Sequence, residues 1–410
     1  MQRPLRLSIA LLLTTACGSP TDHDSVPPIL TSLPRALSPA EVSVIDAANT
    51  FAFDLLKKAT ETLPVDSNVF LSPLSASMAL SMALNGANGE TLDSMRSVLR
   101  LSGLTELEVN EGYRDLITLL RELDSRTEMR VANSLWGHDG FHLEPEFLEK
   151  GRSFFDAELQ TIDFGSPDAL PTINDWVNDA TNGRIPRLLD EIGEEILFLI
   201  NAIYFKGKWR KTFDPGETEN ATFHGADGVD RTAPLMRQSE TLLYYETDGY
   251  QAVDLLYGNG AFSMTVLLPK AGPPAELLAS LDAAAWEALT ANFTEQEISL
   301  ILPKFRLEYS RKLKHDLAAL GMAIAFDRDR ADFYRIADVR PDRLYMTRVD
   351  QKTFVEVNEE GTEAAAATSV GVGVISAPPE MRVDRPFLFA IRERLSGTVL
   401  FLGVMNVIGS

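Results

Sequence analysis

Residues 354–389 read FVEVNEEGTEAAAATSVGVGVISAPPEMRVDRPFLF. Taken in steps of two, the middle gives two lists. One is Thr362, Ala364, Ala366, Thr368, Val370, Val372 and Val374; the other is Glu363, Ala365, Ala367, Ser369, Gly371, Gly373 and Ile375. The first list is small and then β-branched, while the second is polar or minimal until its last member. That is the pattern of a strand with one buried and one open face. Other features resist a permanent strand. Gly371 and Gly373 weaken it, the alanines at 364–367 favour helix, and Pro378 and Pro379 lack ladder donors. The stretch can be a strand without being obliged to be one, and this ambivalence is the functional signal.

Around it lie 410 residues, 45% of them hydrophobic, enough for one large domain or two ordinary ones. The net charge of −21 argues against nucleic acid or other polyanions as partners, and its plain reading is solubility. A single cysteine, Cys17, excludes an internal disulfide. Residues 1–16 carry Arg3 and Arg6, an apolar run at 7–13, then Thr14, Thr15 and Ala16, which together describe an export signal too short to span a bilayer. Ala16-Cys17-Gly18-Ser19 resembles a bacterial lipobox, with Thr14 standing where leucine is usual, so Cys17 is the expected lipidation site. Residue 18 is not aspartate, so retention at the inner membrane is not indicated. Residues 17–37, rich in Pro, Ser, Thr and Asp, read as a flexible tether. The expected location is the outer membrane or cell surface through that anchor, or otherwise the periplasm or medium.

From residue 38 the pattern becomes that of one α+β domain, helices first. Ser38, Pro39 and Glu41 form a capping-box start for a helix running to about residue 58. Ser72 is placed to cap and Pro73 to open a second helix, apolar and small throughout, that ends at Asn85-Gly86. Residues 129–136 alternate as a strand, 170–181 read as helix with Gly183 as its stop, and LFLINAIYF at 197–205 reads as a central strand covered on both faces. Short strands are expected at 242–245, 252–256, 263–268 and 297–303, and a helix near 311–320. A C-terminal hairpin of two buried strands is expected around Ser396-Gly397.

These residues carry a family resemblance. NVFLSPLSASMALSMALNGANGET, INDWVNDATNGRIPRLLD, LINAIYFKGKWRKTFDP, LPKFRLE, LGMAIAF, KTFVEVNEEGTEAAAATS and DRPFLFAI, in this order from residue 68 onward, together resemble serpins. The resemblance implies a single domain at 38–410 of about eight or nine helices around three β-sheets, with an exposed reactive-centre loop at about 359–380. It implies a monomer that uses no cofactor and no metal, is not an enzyme, and has a target serine protease as partner. Insertion of a serpin's cleaved loop into its main sheet is the standard example of strand addition driven by stored strain.

The resemblance assigns the hinge to Glu360, Gly361, Thr362, Glu363, Ala364, Ala365, Ala366, Ala367 and Thr368. Small side chains there pass quickly between two strands. It puts the scissile bond at Ile375–Ser376, with Val374 and Val372 as alternative cleavage points. An aliphatic residue at the bond suits a shallow apolar pocket, and a trypsin-like pocket would leave its carboxylate unpaired. Elastase-like or subtilisin-like targets follow. A new strand of about fourteen residues adds roughly a dozen ladder bonds and buries three valines, on the order of 10–25 kcal/mol before ordering costs. That exceeds an ordinary domain stability of about 5–15 kcal/mol. Ser72, Ser75, Asn201 and Gln351 match the family's polar cluster beneath the central strands, with glutamine where histidine is usual, and Trp209 matches the tryptophan where the hinge enters. The rival reading is a non-inhibitory serpin, a binding or chaperone-like module or plain protease substrate. His138 and His142 are a weak metal pair because Asp139 and Gly140 break any helix between them, and no G-x-S-x-G elbow is present.

Overall fold

The structure is a computed structural model that describes residues 27–140, 142–193, 197–362 and 378–409. It contains nine α-helices among the described residues: α1 (Pro39–Glu61), α2 (Pro73–Leu84), α3 (Gly89–Val98), α4 (Glu106–Glu122), α5 (Pro145–Phe155), α6 (Ala169–Ala180), α7 (Pro274–Ser280), α8 (Ala283–Ala291) and α9 (Lys314–Leu317). The start of α1 is the predicted capping box. Ser38 Oγ accepts from the Glu41 amide, and the Glu41 carboxylate accepts from the Ser38 amide at 2.8 Å.

One sheet has the order β10 (Phe305–Lys312), β11 (Arg348–Val357), β4 (Leu197–Lys208), β2 (Thr127–His138) and β3 (Glu158–Ile162), with the short β12 (Gly361–Thr362) paired to β4. The other network runs β1 (Val69–Leu71), β15 (Val399–Met405), β14 (Phe387–Glu393), β8 (Phe262–Pro269), β7 (Tyr250–Leu256), β6 (Asp230–Glu246), β9 (Thr294–Pro303) and β13 (Glu380–Arg382), and β5 (Glu219–His224) pairs with β6. The second and third expected sheets are continuous here because β6 serves both. Its first residues pair with β5 and its last, from Leu243, with β7.

Helix α2 lies between the two networks, touching β4 in one and β15 in the other, and all of its residues are buried. This is why it is built from Ala, Ser, Met and Leu: small side chains admit a sheet on each side. The far face of β4 is covered by α6 and the segment after it. Phe198, Ile200 and Ala202 pack there with Trp136, Ile173, Val177 and Leu189. The alternate residues Leu199, Ile203 and Phe205 belong to the main core. A strand buried on both faces has to be apolar at successive positions, which accounts for the LFLINAIYF run. Asn174 ties the covering segment to α6, donating to Leu189 O and accepting from the Leu188 and Leu189 amides, each at 2.9 Å.

Several expectations need correction. Residues 311 and 312 end β10, where they pair with Gln351 and Asp350, so the helix expected near 311–320 shrinks to α9 and two irregular turns up to Phe326. Helices α7 and α8 occupy a region read only for strands. Ser72 holds the N-cap position of α2 but its hydroxyl makes no cap; it donates to Leu400 O at 2.8 Å. Residues 27–37, read as the end of a solvated tether, lie against the domain, where Leu30, Leu33 and Leu37 pack on the core. No helix among the described residues is long and apolar enough to cross a membrane.

Candidate functional site

The central strands β4 and β11 run parallel and pair from Phe198–Arg348 to Ile203–Thr353. There the ladder stops. Beyond it, residues 204–206 of β4 pair with β2 on the other edge and β11 continues to Val357 paired with β10, with no β4–β11 pairs among the described residues. Among the described residues the sheet is therefore open at one end between its two middle strands. The chain leaving β11 turns at residues 358–361, where the Asn358 amide donates to Gly361 O at 3.0 Å and the Glu360 amide to Asn358 Oδ1 at 3.0 Å. It re-enters antiparallel to β4, with Gly361 opposite Lys208 and Thr362 opposite Gly207. A strand continuing on this course would lie antiparallel to both β4 and β11, filling the opening.

The turn is held from below by Trp209. Its main-chain amide donates to Glu360 O at 2.7 Å and its indole Nε1 to Asn358 O at 2.9 Å. The ring stacks on Tyr257, with centroids 4.4 Å apart. Tyr257 is fully buried and its hydroxyl pairs with Thr362 Oγ1 at 2.8 Å. Burial pushes that phenol's pKa far up, so it stays a neutral hydrogen-bonding group. Gly207 is required here, since a Cβ would stand 2.8 Å from the Tyr257 ring. Glu359 is anchored by Lys304 Nζ at 2.8 Å, by Thr218 Oγ1 at 2.8 Å, and through its carbonyl by the Phe213 amide at 2.8 Å. Burial alone would raise its carboxyl pKa, but the bonds from Lys304, its own amide and Thr218 win and hold it below the usual range.

Along β4 from Gly207 to Asn201, about 20 Å away, lies the polar cluster. Gln351 Oε1 accepts from the Ser72 amide at 2.9 Å, and its Nε2 donates to Ser72 O at 2.7 Å and, more weakly, to Asn201 Oδ1 at 3.4 Å. Ser75 Oγ donates to Asn201 Oδ1. Asn201 Nδ2 donates to Asn133 Oδ1 at 2.8 Å, and Thr353 Oγ1 to Phe70 O at 2.6 Å. Asn133, Asn201 and Gln351 share one register line across β2, β4 and β11. All of these side chains are buried, and buried polar groups must be paired to be tolerated.

Two sets of predicted residues are thus brought together: Ser72, Ser75, Asn201 and Gln351 at the foot of the opening, and Trp209 with Glu360, Gly361 and Thr362 at its mouth. Residues 363–377, which include the hinge residues from Glu363 to Thr368 and Val372, Val374, Ile375 and Ser376, lie outside the described residues, as does Cys17. Sequence reasoning missed Asn133, Thr353, Tyr257 and Lys304. Asn133 carried a legible signal, an amide within an alternating apolar run; the others carried none locally. His138 sits with Asp139 and Asp163 rather than pairing with His142, in an exposed group whose donor atoms all lie within 4.8 Å of one another. Its Nδ1 already accepts from the Gly140 amide at 3.1 Å.

The family model described as "Serpin (serine protease inhibitor)" matches residues 46–407. An uncharacterized serpin-like protein of Thermococcus kodakarensis is 36% identical over 375 residues, covering 89% of this chain and 86% of that one. The leukocyte elastase inhibitor of Xenopus tropicalis is 34% identical over 374 residues, covering 87% of this chain and 97% of its own. Among solved structures, the thermophilic serpin tengpin in its native state superimposes with a TM-score of 0.84 at 27% identity, covering 93% of this chain and 97% of that one. With the partly open central sheet and the re-entrant turn at its mouth, these matches establish that the chain is a member of the serpin family.

Proposed function

We propose that this serpin is a single-use inhibitor of serine proteases and that its bait bond is Ile375–Ser376. The protease serine attacks the Ile375 carbonyl, forms an ester with it and releases the Ser376 amine. Water would normally hydrolyse that ester. Before it can, residues from Gly361 onward enter the opening between β4 and β11, carrying the tethered protease with them. Fourteen residues span about 45–50 Å as a strand, longer than the twelve-residue β4 beside which they would lie.

The observation that carries this reading is the antiparallel pairing of Gly361 and Thr362 with Lys208 and Gly207, at the open end of the β4–β11 ladder. The first residues of the hinge already stand where an inserting strand must begin, in the direction it must take. The remaining six pairs between β4 and β11 have to part, and the Gln351–Asn201 contact with them.

The aliphatic residues of the loop, and the elastase inhibitor among the relatives, favour elastase-like or subtilisin-like targets. The test is a panel of such proteases, read by denaturing gel and mass spectrometry. A covalent adduct and a released C-terminal peptide beginning at Ser376 are expected, together with a large rise in melting temperature after nicking. Cleavage without adduct across the panel, or a nicked protein that melts where the intact one does, would assign the chain to the non-inhibitory serpins.

We also propose export with a lipid on Cys17, supported by the basic, apolar and small-residue order of residues 1–16. Fatty-acid labelling that persists in Cys17→Ser would refute the anchor.

A further inference from the structure

We propose that His138, Asp139 and Asp163 form a binding site for a divalent transition-metal ion, with zinc the ordinary occupant, at the joined ends of β2 and β3. The three side chains are exposed, and their donor atoms all lie within 4.8 Å of one another. The donor set mixes an imidazole nitrogen with carboxylate oxygens. That mixture selects zinc and its first-row neighbours over calcium and magnesium, which take oxygen ligands. None of these residues belongs to the opening in the sheet, the family resemblance calls for no metal, and binding here does not depend on loop insertion.

The backbone fixes the donors before any ion arrives. Strands β2 and β3 run parallel with His138 opposite Ile162, and the Asp139 amide donates to Ile162 O at 3.1 Å. His138 closes β2, Asp139 follows it, and Asp163 follows directly on β3, so the ladder clamps all three together. Asp163 Oδ1 accepts from the Gly165 amide at 2.8 Å, which sets the carboxylate and leaves its second oxygen to an ion. The His138 ring meets the edge of Phe164, centroids 6.0 Å apart, and Phe164 meets the buried Phe198 of β4 at 5.0 Å. The imidazole is thus braced against the core although its edge is in solvent.

The contact that points to a cation lies inside the group. His138 Nδ1 accepts from the Gly140 amide at 3.1 Å, so that nitrogen presents a lone pair, and Asp139 Oδ1 stands 3.0 Å from it. Two acceptors this close repel until a positive charge joins them. A metal ion or a proton on Nδ1 supplies it, and either one releases the exposed Gly140 amide to water. Ligands at zinc's usual 2.0–2.2 Å stand about 2.9–3.4 Å apart at the angles zinc adopts, and the Nδ1–Oδ1 separation already matches. Among the described residues no lysine or arginine pairs with Asp139 or Asp163, so an arriving ion has no resident cation to displace. His224 and Asp230 supply an internal control. That pair is as close, 2.7 Å, but has no third donor in reach among the described residues.

The test titrates zinc chloride into the full chain, prepared without a histidine tag, and follows the heat of binding and the melting temperature. Saturation at about one zinc ion per chain is expected. The melting temperature should rise with zinc concentration, as for any ligand held only by the folded state. His138→Gln and Asp163→Asn should each weaken binding by about tenfold or more and remove the rise. In EDTA both should melt with the parent protein, because the side chains are exposed; they come from different strands, so a folding defect in one leaves the other to decide. His224→Gln should bind zinc within about twofold of the parent. The site is overturned by no saturable heat, by affinity kept in His138→Gln or Asp163→Asn, or by an equal loss in His224→Gln. The His138–Asp139 contact is then the ion pair of a protonated imidazole, and zinc meets only scattered surface histidines.

Discussion

A single methyl group at residue 361 tests the mechanism most sharply. Gly361 has φ +150, and a Cβ built there would lie 2.1 Å from Gly207 O, 2.7 Å from Lys208 Cα and 2.9 Å from the Trp209 amide nitrogen. All three are main-chain atoms, so no side-chain rotation relieves the clash. Gly361→Ala must push β12 off β4. The losses are the pairing with Gly207 and Lys208, the Tyr257–Thr362 bond and the Trp209–Glu360 bond. At about 0.5–1.5 kcal/mol each, the arrangement at the mouth is raised by about 2–4 kcal/mol. If insertion passes through that arrangement, it slows by roughly thirty- to a thousandfold, at tenfold per 1.4 kcal/mol. The acyl-enzyme is then partitioned toward hydrolysis, and the moles of serpin consumed per protease trapped rise in proportion. Titrating a fixed amount of elastase with the variant, and counting adduct against cleaved chain on a gel, reads this ratio directly. Cleavage at Ile375–Ser376 itself should proceed at the unaltered rate, since the bond is fourteen residues away. A consumption ratio within about twofold of the parent protein would show that the hinge does not enter beside Gly207, and the proposed path would have to be abandoned.

Other expectations follow from the same contacts. Gln351→Leu leaves the buried Ser72 amide without its acceptor, while Ser72 O keeps the Ala76 amide; the intact protein should lose about 1–3 kcal/mol, read as a lower urea midpoint, and an unchanged midpoint would contradict the bonding described. Glutamine does not titrate, so spontaneous insertion in the parent should be flat between pH 6 and 8, and Gln351→His should introduce a slope there; a steep dependence in the parent refutes this. Glu359 has a carboxyl pKa below its ordinary 4.5. A depressed folded pKa gives stability that is complete above the unfolded value and is lost as pH falls through the folded one. Acid unfolding below about pH 4.5 should therefore be shallower in Glu359→Gln than in the parent, with a lower starting stability at neutral pH. Parallel acid curves would show that the Lys304 bond does not matter to the turn.

How much of this was legible beforehand depended on whether the determinant was local. The capping box at Ser38 and Glu41, the all-buried character of α2 and the double coverage of β4 are written in neighbouring residues, and each was read correctly. The end of β10 was misread because Arg311 and Lys312 fit a helical pattern locally and are fixed as strand by Gln351 and Asp350, some forty residues later. Helices α7 and α8 are short and Ala-rich, with too few turns to show a period against their surroundings. The props of the hinge turn were invisible for a related reason. Nothing near Lys304 or Tyr257 announces Glu359 or Thr362.

The polar cluster stands between these cases, and its bond lengths favour one seam for the proposed insertion. An amide in LFLINAIYF must find a partner, so the need at Asn201 can be read from the sequence though the partner cannot. In the fold Asn201 has a choice of neighbours and does not treat them alike. It is bonded to Asn133 on β2 at 2.8 Å and receives the Ser75 hydroxyl from α2, whereas its contact to Gln351 on β11 is 3.4 Å. Gln351 in turn spends its better bonds on the Ser72 main chain. When β4 and β11 part, each therefore keeps its strongest polar partner on its own side, and the bond that breaks is the longest in the cluster. A seam placed between β2 and β4 would instead break the 2.8 Å amide pair together with an eleven-residue ladder. If the proposed insertion parts β4 from β11 there, the bonds of Asn201 to Asn133 and of Gln351 to Ser72 need not break, and no amide of the cluster is orphaned. A double-mutant cycle checks the seam. Asn201→Ala with Asn133→Ala should couple by about 1 kcal/mol in the stability of intact and nicked protein alike. Asn201→Ala with Gln351→Leu should couple more weakly in the intact form and not at all after nicking. Equal coupling of both pairs in both states would place the division of the sheet elsewhere.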